Sequence, residues 1–199
     1  MLTDSAHAKR FLMPSIPDRY TKPAIILHWV IAVLMVLNVI LGLSAENVRD
    51  EWVRPIVDTH KSIGITLLGL AILRLLWRAT HEPPAMPQGY GRLERVAAHL
   101  AHWALYGVMF LLPLSGWMHD SAWKDAATHP MQYFGLFEWP RIRWIMAIEP
   151  LSKEGLHDLF GAVHLWLGNL LYVLFALHVL GALKHQILDR EKELQRMLP

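Results

Sequence analysis

Apolar residues are gathered into four runs, at about residues 23–43, 58–77, 93–118 and 156–185. Each is close to the ~20 residues a helix needs to cross a hydrocarbon core ~30 Å thick. The first run holds only two strongly polar positions, His28 and Asn38, and opens on Pro23, which suits a helix first turn. Pro113 lies inside the third run and predicts a kink there. Residues 81–91, HEPPAMPQGYG, read as a loop. The longest connection, 119–153, is rich in aromatic residues and is expected to lie over or along the membrane surface. The pattern predicts an all-α membrane protein, a four-transmembrane-helix bundle. Its parts are an N-terminal arm (1–22, with interfacial residues at 11–16), a membrane domain (23–188) and a charged tail (189–199).

Composition sharpens this reading. The 199 residues are 54% hydrophobic and 18% charged, more apolar than a soluble domain of this length. The net charge of +2 gives no reason to expect nucleic acid, because basic residues in such a chain mark the cytoplasmic loops. There is no cysteine, which excludes disulfides, thiolate metal sites, cysteine-held iron–sulfur clusters and thioether-attached haem. Residues 1–22 are mixed and polar, so the first span is expected to act as the insertion signal. Lysine and arginine are commoner at the two termini and in the second loop than in the first and third loops. That bias predicts both termini in the cytoplasm.

The last run carries His157, His164, His178 and His185, spaced by about two, four and two helical turns along one stripe. His164 and His178 then lie about 21 Å apart along the axis, most of a bilayer core. Depth supplies partners. His28 and His178 fall near the inner side, His60 and His164 near the outer side. Two histidines at one level of a bundle core, with no carboxylate beside them, suit the two axial positions of a b-type haem. Four ionisable groups at matched depth are costly in a membrane and point to function. Glycines near the ligands let a flat macrocycle approach, and Arg74, Arg78 and Lys61 lie where propionates need cations. His81, His129, His157 and His185 are expected to be interfacial residues, as are most tryptophans. His99 and His102, at the inner end of the third span, are either interfacial or bond a propionate or quinone oxygen. A histidine-lined metal transporter is the rival in another class, but only Asn38 and Asn169 offer polar positions at mid-membrane depth.

At these residues the chain resembles the bacterial cytochrome b561 family. The motifs are ILHW around His28, THKSIGI around His60, LRLLWR, AHLAHWALY, VHLWLGNLLYVLFALHVLGALKH, and the ending ELQRMLP. The resemblance covers nearly all of residues 20–198. It implies four spans, two haem b groups on His28/His178 and His60/His164, and electron exchange with ubiquinone in the bacterial inner membrane. One branch of the family oxidises superoxide at the periplasmic face. The activity expected here is therefore that of a superoxide:ubiquinone oxidoreductase. The alternative is a membrane anchor subunit that relays electrons between a periplasmic redox partner and quinone. With both axial sites filled, superoxide must react at the haem edge. The outer loops hold more acidic than basic residues, so a local basic spot is needed, and Lys61 and Arg143 are the candidates.

Overall fold

The computed structural model describes residues 19–86 and 89–198; the expected interfacial residues 11–16 lie outside this range. The long helices are α1 (Lys22–Ser44), α2 (Asp50–Thr80), α3 (Arg92–Ala122) and α5 (Pro150–Ile187). All four are long and apolar enough to cross a membrane. Helix is the form such runs take in lipid, since every backbone polar group must be satisfied within the segment. A single 3-10 turn, Ala45–Asn47, joins α1 to α2. Between α3 and α5 lie a two-stranded hairpin, β1 (Gln132–Tyr133) and β2 (Phe137–Glu138), and the short α4 (Arg143–Met146). A last short helix, α6 (Glu193–Arg196), ends the fold.

The helices run past the apolar runs that predict them. α2 starts at Asp50 rather than near residue 58, and α5 at Pro150 rather than near 156. Charge ends a membrane-compatible run but does not end a helix. Asp50 and Glu51 favour the α2 N-terminus, and Glu149 caps α5 by accepting from the Ser152 backbone N–H.

Packing divides the bundle into two helical hairpins. α1 lies against α2, and α3 against α5. The backbone of α5 stays apart from α1 and α2, although its histidines face theirs. An apolar layer of Val108, Leu167 and Leu171, with Met35 and Val39 packed on it, fills the middle of the bundle. Leu167 and Leu171 fall between His164 and His178, so this layer separates two histidine levels. Outward-facing residues such as Val33, Leu73, Leu165 and Leu177 are more than half exposed. A surface this apolar suits acyl chains, not water. The first and last described segments meet at one side of the bundle, where Trp29 Nε1 donates to the Met197 carbonyl at 2.6 Å and Arg19 to that of Leu198 at 2.7 Å.

Candidate functional site

Two histidine pairs cross the gap between the helical hairpins. His28 on α1 faces His178 on α5 with ring centres 6.2 Å apart. His60 on α2 faces His164 on α5 at 6.1 Å. An imidazole nitrogen lies about 2 Å from a first-row metal ion and about 1.1 Å from its own ring centre, so two imidazoles trans on one ion put their centres about 6.2 Å apart. Both pairs have that spacing. The donor set, two neutral imidazoles with no carboxylate, suits haem iron with no open position.

The outer rings are held firmly. His60 Nδ1 lies 2.9 Å from the Asn38 carbonyl and His164 Nδ1 3.0 Å from that of Leu112, so in each the Nδ1–H donates and Nε2 is left as the ligand atom. Ser115 Oγ also lies 3.1 Å from His164 Nδ1. A glycine stands four residues after each accepting carbonyl. A Cβ on Gly42 would lie 3.1 Å from His60 Cε1, and one on Gly116 3.0 Å from His164 Cε1. Carbonyl and glycine together form a seat for the ring on the neighbouring helix. Gly116→Ala is therefore expected to push the His164 ring off its carbonyl and to change the absorbance of any group bound through that ring. Gly107→Ala, which meets nothing within 4 Å, leaves the spectrum alone.

The same seat occurs a third time, around a residue that spacing along α5 did not reveal. His119 Nδ1 donates to the His157 carbonyl at 2.8 Å, and a Cβ on Gly161 would lie 2.9 Å from its Cε1. His157 Nδ1 returns the bond to the His119 carbonyl at 3.0 Å, and the rings stack with centres 3.9 Å apart. His157 thus clamps α5 to α3 rather than standing alone at the interface. The signal in sequence was Gly161, four residues beyond His157, but nothing there named its partner.

At the inner pair, neither ring nitrogen makes a hydrogen bond among the described residues. Arg74, the expected propionate cation, sends Nη1 to the Ala24 carbonyl at 3.1 Å, one turn before His28. Arg74 also lines a cavity of about 30 Å³ together with Trp77, Arg78 and Tyr106. His102 comes within 5.3 Å of His178, nearer than His28 does. That is about 1 Å too close for two imidazoles sharing one ion across its axis. His102 is a neighbour of the pair, and its own Nδ1 donates to the Ala98 carbonyl at 2.7 Å. His99 does the same to Arg95, at 2.8 Å. His185 stacks on Tyr90 and bonds Asp189, and His81 stacks on Trp77. Glu94, His185 and Asp189 cluster in the manner of metal ligands, but the Lys184 ammonium already sits on Glu94 at 2.6 Å and Asp189 at 2.8 Å. Those bonds, Lys184 first, hold the Asp189 carboxyl below its ordinary range.

The two candidates for an outer basic spot differ. Lys61 is committed: its Nζ lies 2.6 Å from Asp120 Oδ1, beside the Arg141 guanidinium on Asp120 Oδ2 at 2.8 Å. Arg143 opens α4, is exposed, and has no ion pair among the described residues.

Comparison with known proteins agrees with this architecture. The family described as prokaryotic cytochrome b561 matches residues 19–199. Cytochrome b561 homolog 2 of Escherichia coli (strain K12) is 34% identical over 185 residues, 92% of each chain. A Yersinia pestis protein named probable superoxide oxidase CybB is 28% identical over 189 residues, 91% of this chain and 96% of its own. The extent of these matches, with four membrane-length helices and histidines facing across their core, shows that the chain belongs to the prokaryotic cytochrome b561 family, as a membrane b-type cytochrome of electron transfer.

Proposed function

We propose that the chain is a dihaem cytochrome of the bacterial inner membrane that takes electrons from superoxide at the periplasmic face and delivers them to ubiquinone, with both termini in the cytoplasm. The observation that carries this is the pair of histidine couples, each at the spacing one iron requires, at two depths of one bundle. His60 and His164 hold the outer haem, His28 and His178 the inner one. The haems supply one-electron chemistry at both depths. The protein sets position and potential. Its outer imidazoles donate Nδ1–H to carbonyls, which makes them stronger donors to iron and favours the oxidised state. The inner rings have no such bond among the described residues, and Arg74 stands nearby to favour the reduced state. Both effects slope the path inward, from outer donor to inner acceptor.

The side carrying the termini is rich in cations, among them Arg19, Lys22, Arg74, Arg78 and Lys184, which supports the orientation. The similarity to a relative named as a superoxide oxidase supports the donor.

The test is whether the purified chain alone reduces a short-chain ubiquinone when supplied with enzymatically generated superoxide. Arg143→Gln should slow that rate and flatten its dependence on ionic strength, with both haem spectra intact. Lys61→Gln should do less to salt dependence, because Asp120 already offsets its charge. Absence of any superoxide-driven reduction, with both haems present, would favour the anchor subunit that relays electrons from a periplasmic partner.

A further inference from the structure

The connection between α3 and α5 folds back along the bundle. Its hairpin is fastened to the side of α2, at points inside the level of the axial ligand His60. Phe134 N donates to Ser62 Oγ at 2.9 Å, and the Gln132 carbonyl lies 3.2 Å from that oxygen, which also reaches the Asp58 carbonyl at 2.8 Å. Tyr133 Oη lies 2.9 Å from Thr66 Oγ1. α2 runs inward from Asp50, so at ~1.5 Å per residue Ser62 lies about 3 Å and Thr66 about 9 Å deeper than His60. His60 itself rests against Gly42, close to the outer end of α1.

Side chains change from polar to apolar along the hairpin toward its turn. The first paired position is Gln132 with Glu138, both polar; the next is Tyr133 with Phe137, both aromatic. Beyond them the turn is Phe134, Gly135 and Leu136, with Leu136 76% exposed, Phe137 50% and Phe134 48%. The turn chemistry is also unusual. Phe134 and Gly135 both have positive φ, 50° and 69°. Tight turns of this hand normally carry Asn or Asp before Gly, and a residue with a Cβ costs about 1–2 kcal/mol in that conformation. A phenylalanine there makes sense where its ring is solvated by something other than water.

We propose that residues 133–137 form a re-entrant tip buried in the outer leaflet, with acyl chains covering Phe134, Leu136 and Phe137. The inference stands on α2 as a membrane span and is independent of which residues hold haem. The tip lies against α2 on the lipid side, and Glu138 faces the headgroup level.

The chain has no cysteine, so single labels can be placed without background. A nitroxide on Leu136→Cys, in the haem-loaded protein in phospholipid vesicles, is relaxed by dissolved oxygen or by a water-soluble nickel chelate. Oxygen is expected to dominate several-fold at position 136, and nickel at Glu138→Cys. If Leu136→Cys fails to hold the wild-type absorbance, Phe137→Cys carries the test with the same expectation as 136. Nickel access at the tip equal to that at 138 overturns the proposal. So does spin–spin broadening at 136 that vanishes on dilution with unlabelled protein, because a second copy of the chain would then be the occupant.

Discussion

His164→Ala is expected to leave the purified chain with one low-spin haem instead of two, the survivor having the higher midpoint potential. His60→Ala gives the same protein. His28→Ala and His178→Ala give its complement, one haem of lower potential. Each change would remove one of the two proposed axial bonds, and among the described residues no other imidazole stands at the trans spacing. The nearest, His102, is 5.3 Å from His178 by ring centres, where about 6.2 Å is needed. The order of potentials follows from what surrounds the rings. Asn38 and Leu112 accept from the Nδ1 atoms of His60 and His164, which would make these rings stronger donors to iron. Arg74 places positive charge near the inner pair, bonded to the backbone one turn before His28. A redox titration of the α-band in the four variants decides the matter. Two haems remaining in any one of them would sink the pairing. The higher-potential haem surviving in His178→Ala would sink the argument from hydrogen bonding while leaving the pairing intact.

Much of this was legible because a membrane restricts what a helix can do. Once four apolar runs are recognised, depth follows from residue count, and depth alone brings His28 to His178 and His60 to His164. The seats under the outer rings were half legible. Gly42 and Gly116 could be read as close-approach positions, but which ring each accommodates depends on helix rotation, which periodicity leaves open. His119 escaped because it lies beyond the apolar part of the third run and its partner sits on another helix. The long connection was read from composition as a surface layer. Ser62 and Thr66, the two hydroxyls that fasten its hairpin to α2, look like ordinary helix residues until their partners from the loop are known. Lys61 is a similar case: its neighbour His60 suggested an outer basic spot, whereas its closest partner is Asp120, on a different helix.

Asp120→Ala should be the most destabilising single change outside the histidine pairs. Its carboxylate is 6% exposed and binds cations from two separate segments, Lys61 of α2 and Arg141 of the third connection. Arg141 is itself 8% exposed and also donates to the carbonyls of Ala126 and His129. Next to it, Ser121 Oγ accepts from the Ile142 backbone at 3.1 Å. The group therefore ties α2, the end of α3 and the loop that carries the hairpin. Removing the carboxylate leaves a buried guanidinium without its counter-charge, a loss of about 3–5 kcal/mol. That corresponds to a fall in melting temperature on the order of 10 °C for a chain of this size. Breaking the Arg49–Glu51 pair, whose side chains are 79% and 62% exposed, should cost about 0–1 kcal/mol and serves as the control. Asp120→Asn, which keeps one acceptor oxygen but not the charge, should fall between. Thermal loss of the haem absorbance in detergent measures all three. If Asp120→Ala melts no lower than the Glu51 variant, the buried cluster is not what holds the loop to the bundle, and the hairpin must be retained by its bonds to Ser62 and Thr66 alone.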